Sequence, residues 1–288
     1  MGDPQWASAA WTDDFIDIQG EDFLTPRYWT RAKMMWDDTC FYIACDMEEP
    51  HLWATYNQHD MIVFHENDFE VFIDPDGDNH HYFEIEINAL GTVFDLRLDK
   101  PYRDGGPAVH EWNAVGMQKA VALRGTLNNP ESTDSGWSVE LAIPWSCMGC
   151  KPAPGDVWRV NFSRVEWTLE VADGRYRKVD GLAEDNWVWS PQGAIDMHRP
   201  EMWGYVLFAD DPNAECPFDP DHEARMTLMD LYWKQKEFHA KHGRWASILE
   251  ELAWNGPRVL LSNHDSGFTA EHAGLLIRED SKLTKKPD

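Results

Sequence analysis

Carboxylates recur at alternate positions between Asn67 and Asn88: Glu70, then Asp74, Asp76 and Asp78, then Glu84 and Glu86. Residues i and i+2 of a strand share a face, so Glu84 and Glu86 would stand side by side. Three chemistries fit them. Together with Glu70 they could form a glycosidase-type carboxylate pair, whose members stand roughly 5–9.5 Å apart. Crowded like charges raise one pKa, as a general acid requires, and Tyr82 or His81 would complete such a catalytic set. The same side chains could instead accept hydrogen bonds from sugar hydroxyls, or hold calcium together with Asp95. Asp74-Pro75-Asp76-Gly77-Asp78 places three hard oxygen donors in a tight turn, which suits structural calcium. It is not an EF-hand, because Ile85 stands where that loop needs its bidentate Glu. The plain alternative is a solvated acidic turn. His80 and His81 are adjacent, so on a strand they point to opposite faces and do not readily share a metal. Arg97 and Arg164 are the cations expected near this face. An arginine fork is the natural partner of a uronate or sulfated sugar, although each could simply pair with a neighbouring Glu.

The elements that must carry these groups follow from period-two patterning. Phe69, Val71 and Ile73 alternate with Glu70 and Phe72, and Phe83, Ile85 and Ile87 alternate with Tyr82, Glu84, Glu86 and Asn88. This predicts an antiparallel hairpin, apolar on one face and polar on the other. A third strand, Val93-Phe94-Asp95-Leu96-Arg97-Leu98, is expected to add Asp95 and Arg97 to the polar side. Further strands are predicted at 33–36, 40–46, 116–123, 136–143, 157–166 and 203–208, between Gly, Pro, Asn and Asp clusters. Residues 6–20 suit an edge strand and loop, and 100–107 a charged loop. Many short strands without a long helix over this part imply an all-β fold, an antiparallel β-sandwich of immunoglobulin-like or jelly-roll type.

The pattern changes near residue 210. Residues 210–220 read as a polar linker. Residues 223–241 carry Met226, Met229, Leu231, Trp233 and Phe238 at helical spacing, with His242-Gly243 as a stop. A second helix is predicted over 247–253, with Ser247 as its cap and Glu250 at the capping-box position. The tail, 258–283, reads as a short β-hairpin. The chain thus divides into 1–209 and a small α+β extension, 210–288, docked through its Met and Trp stripe.

Composition narrows the function. The 288 residues include 43% hydrophobic types, enough for one large core plus a small extension. A formal net charge of −26 argues against nucleic acid, whose phosphates need clustered Lys and Arg. No stretch is long and apolar enough to span a membrane. Met1-Gly2-Asp3-Pro4 reads as a cloned start before a mature domain, so the lack of a signal peptide says little about compartment. Five Cys leave at least one thiol unpaired. Cys147-Met148-Gly149-Cys150 lacks the partners of a zinc site and the βαβ context of a redox motif, leaving a local bridge or buried thiols. Sixteen Trp are an unusual load. Most are expected in the core, and any exposed on a β-scaffold would stack on sugar rings.

Several segments together resemble family 9 carbohydrate-binding modules: Glu70-Val71-Phe72-Ile73-Asp74 and the strand ending in Asn88, Gly136-Trp137-Ser138-Val139-Glu140-Leu141-Ala142-Ile143-Pro144-Trp145, Gly155-Asp156-Val157-Trp158-Arg159-Val160-Asn161-Phe162-Ser163-Arg164, and Trp189-Ser190-Pro191 to Trp203-Gly204. The resemblance covers roughly residues 6–208. It implies a secreted or periplasmic, calcium-stabilised β-sandwich that binds oligo- or polysaccharide without catalysis, beside companion polysaccharide-degrading enzymes. Carried over, Glu70 falls on a sugar-contacting Glu, and Glu84 and Glu86 on sugar-contacting strand positions. The chain departs from the family where a stacking Trp becomes Phe64, where the opposing Trp falls near Met197 and His198, and where Glu86 replaces a cation. Trp53, Trp167, Trp187 or Trp189 would then supply the stacking. The alternatives from the residues alone are a glycoside hydrolase or polysaccharide lyase, and a cell-surface interaction or scaffold protein working through its extension. Within that extension, Leu231-Tyr232 to Gly243-Arg244-Trp245 to Leu252 is faintly similar to pilin-like helix–hairpin segments.

Overall fold

The computed structural model describes residues 4–211 and 213–286; Met1–Asp3, Pro212 of the predicted linker and Pro287–Asp288 lie outside the described residues. The strands before residue 208 are β1 (Ile16–Asp17), β2 (Thr30–Trp36), β3 (Cys40–Met47), β4 (Asp68–Asp74), β5 (Tyr82–Asn88), β6 (Val93–Leu98), β7 (Ala108–Val109), β8 (Gln118–Arg124), β9 (Gly136–Pro144), β10 (Val157–Glu166), β11 (Leu169–Ala172), β12 (Arg175–Lys178), β13 (Asp185–Val188) and β14 (Gly204–Leu207). One sheet runs β1-β13-β10-β4-β5-β6-β7, with β14 also on β10, and the second runs β2-β3-β9-β8. All their pairings are antiparallel. Phe69, Val71, Ile73, Phe83, Ile85 and Ile87 of the first sheet share one buried cluster with Phe41, Ile43, Val139 and Leu141 of the second. Each such side chain contributes about 1.5–3 kcal/mol by leaving water. The fold is therefore a β-sandwich, and the period-two reading of β4 and β5 matches it residue for residue.

The third strand corrects one expectation. On β6, Leu96 pairs with Glu84 and Phe94 with Glu86, whereas Asp95 pairs with Ile85 and Arg97 with Phe83. Because paired residues share a face, Asp95 and Arg97 lie on the opposite side from Glu84 and Glu86. Arg97 pairs with Asp99 at 2.8 Å, and Asp95 accepts the Ala114 N–H at 2.5 Å. The short strands β7 and β11–β13 are not among those read from the pattern, being two to four residues long.

Helix α1 (Trp145–Met148) is one turn, ended by Gly149 at φ 72°. Helix α2 spans His222–His242 and ends at Gly243 with φ 68°, close to the predicted limits. The second predicted helix is instead a 3-10 turn over Leu249–Leu252, whose cap position is Ile248. Glu251, not Glu250, reaches back to the Ser247 N–H at 2.8 Å. The tail forms a four-stranded meander, β15 (Leu260–His264), β16 (Gly267–His272), β17 (Leu275–Arg278) and β18 (Leu283–Lys285), rather than a single hairpin. Leu228, Met229, Leu231 and Tyr232 of α2 pack on Phe268, Ala270 and Ile277 of that meander. The helical stripe is thus shared: it covers its own sheet, while Trp233 lies 5.0 Å from both Arg103 and Arg199 and Met229 Sδ meets Asn79 Nδ2 of the sandwich at 3.6 Å. Contact with the sandwich is largely polar: buried Asp104 accepts from Tyr232 Oη (2.6 Å), Ser281 Oγ (2.7 Å) and Lys236 Nζ (3.0 Å). All five cysteines are free thiols, so no local bridge joins Cys147 and Cys150. No described helix is long and apolar enough to cross a membrane.

Candidate functional site

The outer face of the β10-β4-β5 sheet carries the chemistry. Glu70 on β4 pairs with Glu86 on β5 and with Ser163 on β10, and Phe72 pairs with Glu84 and Asn161. Asp68, two residues before Glu70, joins the same row. Loops fold over this face and bury it: Asp68, Glu70, Glu84, Glu86 and Ser163 are each at most 5% exposed. One oxygen each of Asp68, Glu70 and Glu86 lie within 4.8 Å of one another. That is closer than the usual spacing of a glycosidase pair. Burial, reinforced by neighbouring carboxylates, moves all four acids upward: Glu70 to about 7, with Glu184 nearby and the Ser163 hydroxyl opposing the rise, Glu84 to about 8, and Asp68 and Glu86 well above the usual range.

Aromatic side chains flank the cluster on two sides. Phe64 donates its N–H to Glu86 Oε2 at 3.3 Å, and the Trp167 indole N–H donates to the Phe64 carbonyl at 3.0 Å. Lys178 Nζ sits 3.6 Å from the centre of the Trp167 ring. Opposite, buried Tyr82 shares a 3.0 Å hydrogen bond between its Oη and His198 Nδ1. The half-exposed Tyr102 meets the His198 ring edge-on at 4.6 Å, and partial burial, with Glu84 and Glu86 nearby, raises its phenol pKa to about 12. Burial and neighbouring Arg103 hold the His198 imidazole down at about 3, so it is neutral.

The structure does not bring every predicted residue here. His81 adopts a left-handed backbone at φ 53° in the β4–β5 turn, and its side chain is exposed, so it cannot serve Glu84. His198, delivered by the loop before β14, takes the place beside Tyr82. Arg164 pairs with Phe69 and Trp187 and so faces inward. It is 1% exposed and bridges Glu49 and Glu166, each at 2.9 Å. Trp187 is a core residue under that guanidinium, 5.2 Å away. An acidic sugar therefore loses the Arg97 and Arg164 fork expected for it. Trp189 packs on Phe162 and against Gly204, where an added Cβ would sit 2.5 Å from its ring. Trp53 is half-buried in the β3–β4 connection. Asp68 and Ser163 escaped the sequence reading. Period two from Glu70 could have found Asp68, but Ser163 needs the β4–β10 register.

In the Asp74 turn, one carboxylate oxygen each of Asp74, Asp76 and Asp78 also lie within 4.8 Å of one another. Burial, with Asp76 and Asp78 alongside, pushes Asp74 well up. Asp74 accepts the N–H groups of Gly77 and Asn79, both at 3.0 Å, and Asp78 pairs with Lys282 at 2.9 Å. The crowding fits a hard cation, with Lys282 offsetting part of the charge.

Comparison with known proteins concerns the sandwich that carries this face. Exoglucanase XynX of Acetivibrio thermocellus is 30% identical over 117 residues, 41% of this chain and 9% of that enzyme. Endo-1,4-beta-xylanase A of Thermoanaerobacterium saccharolyticum is 29% identical over 116 residues, 40% of this chain and 8% of that enzyme. The chain thus matches less than a tenth of either relative's length. A candidate carbohydrate-binding protein of Bacteroides uniformis shares 16% identity with TM-score 0.51, over 71% of this chain and 88% of that one. A family 9 carbohydrate binding module of Caldicellulosiruptor kristjanssonii, solved with cellotriose, also shares 16% identity, with TM-score 0.49 over 76% and 93%. The family model for carbohydrate family 9 binding domain-like sequences matches residues 1–207, nearly the whole sandwich, and the chain belongs to that family.

Proposed function

We propose that this protein binds carbohydrate, without cleaving it, at the outer face of β4 and β5. The observation that carries the reading is a row of carboxyl groups on the outer face of β4 and β5, beneath loops, with Phe64 and Trp167 next to Glu86 and the half-exposed Tyr102 near Glu84. Aromatic edges and faces suit the C–H side of a pyranose. Carboxyls titrating near neutrality, Glu70 at about 7 and Glu84 at about 8, can both donate to and accept from hydroxyls. The relatives' names point to xylan and glucan as the first polymers to try. A secreted or periplasmic site of action, alongside enzymes that degrade such polymers, belongs to the same proposal, as does structural calcium at Asp74, Asp76 and Asp78. What supports that ion is the convergence of three carboxylates in one turn.

The raised Glu84 also favours one competing reading, a hydrolase or lyase with Glu84 as general acid. Incubation with neutral and acidic oligosaccharides, followed by calorimetry and product analysis, separates the two. Binding heat without products, weakened in Glu84→Gln, is the expected outcome. New reducing or unsaturated ends that vanish in Glu84→Gln would overturn it.

A further inference from the structure

We propose that Asp68, Glu70 and Glu86 hold a divalent cation, calcium in chemical character, on the covered outer face of β4 and β5, with Glu84 and Ser163 beside it. The argument starts from how this chain treats buried acids elsewhere. On the inner side of the same sheet, Glu49 and Glu166 are buried and Arg164 neutralises both at 2.9 Å. Near the extension, buried Glu201 is met by Arg103 at 2.8 Å and Arg199 at 3.4 Å. On the outer face of β4 and β5, no Lys, Arg or His among the described residues forms an ion pair with Asp68, Glu70, Glu84 or Glu86. Charge buried without such a partner costs several kcal/mol per ion.

The orphaned atoms point one way. Asp68 is 1% exposed, and its carboxylate oxygens make no well-formed hydrogen bond, although the Val165 N–H lies near enough to favour its charged form. Glu70 Oε2 and Glu84 Oε2 are also buried without a well-formed hydrogen bond, and the buried Ser163 hydroxyl stands beside Glu70. Within the 4.8 Å that spans one oxygen each of Asp68, Glu70 and Glu86, an ion can touch all three. Buried polar atoms are otherwise almost always satisfied, so a row of unsatisfied oxygens marks a missing positive partner. The donors are all oxygen, with no imidazole or thiolate in the group, which selects a hard cation. Several carboxylates plus a hydroxyl suit the larger coordination number of calcium better than the strict octahedron of magnesium.

The ion site stands by itself. Its consequence for ligand binding rests on the carbohydrate reading: a cation under the covering loops would present coordination positions to a pair of sugar hydroxyls once those loops part. Sugar binding would then require calcium.

Calorimetry with calcium chloride tests the site without any sugar. The Asp76→Asn variant removes the turn as a competing site. It is expected to take up calcium at micromolar to millimolar concentration, the span of ordinary protein sites, and to melt higher when calcium is added. Adding Asp68→Asn should abolish both effects while leaving the chelated protein at least as stable, because one repelling charge is gone. Should that double variant fail to fold, Glu70→Gln in the same background carries the same expectation. No calcium uptake by the Asp76→Asn protein at about 1 mM overturns the proposal. So does undiminished uptake after either further substitution. Failure of the oligosaccharide panel alone would count against the carbohydrate reading and leave the ion site standing.

Discussion

Replacing Arg164 with Met tests which face of the sheet this guanidinium serves. In the fold it donates to Glu49 Oε2 at 2.9 Å, to Glu166 Oε2 at 2.9 and 3.2 Å, to the Glu48 carbonyl at 2.7 Å and to Thr30 Oγ1 at 3.1 Å. Met fills much of the volume but leaves two buried glutamates facing each other. Removing one partner of a buried ion pair costs about 3–5 kcal/mol. For a chain of this size that corresponds to a fall in Tm on the order of 10 °C. The deficit should shrink in acid. Burial, with Glu49 beside it, already raises Glu166 well above the usual carboxylate range, and a protonated glutamate needs no cation. Calorimetric melts at two pH values would read the effect, and oligosaccharide titration well below the transition would read binding. Unchanged binding by the folded fraction is expected, because Arg164 points away from the outer face. A melting temperature within about 2 °C of the parent, together with lost binding, would refute the inward placement and restore the sequence-level role of Arg164 as a ligand contact.

Two further perturbations probe the outer face and the extension. His198 takes a proton near 6.5 when unfolded but only at about 3 when folded. The unfolded chain therefore binds more protons between those values, and stability falls as pH drops through that window. His198→Gln should flatten this limb in denaturant melts; an unaltered slope counts against a buried neutral imidazole. Glu70 and Glu84 act with the opposite sign. Their folded pKa values are raised, so their contribution is present below about 4.5 and is lost as pH rises through 7 and 8. Asp104→Asn should weaken the contacts to Tyr232, Ser281 and Lys236 by about 1–3 kcal/mol. Hydrogen exchange should then quicken across α2, β17 and β18 while β4 and β5 stay protected; uniform quickening would contradict a local role.

Much of the site was legible from alternation alone. Phe69, Val71 and Ile73 against Glu70, and Ile85 and Ile87 against Glu84 and Glu86, place the carboxyl row on one face because strand geometry repeats every two residues. The same rule gave the wrong face to Asp95 and Arg97, since the β5–β6 turn sets the register and a one-residue change inverts every side chain. Arg164 illustrates a different limit. Its strand was read correctly, but inward or outward depends on whether buried partners await it, and Glu49 lies 115 residues away in sequence.

By itself, then, the chain determined its strands, its long helix and the run of acids on β4 and β5, all consequences of local period and turn chemistry. Tertiary structure alone decided that these acids are buried and unpaired by any cation among the described residues. It also decided that Tyr102 stands near them, that His198 rather than His81 meets Tyr82, and that Trp187 belongs to the core. Those outcomes depend on loops distant in sequence closing over one sheet, and no local pattern encodes the desolvation that follows.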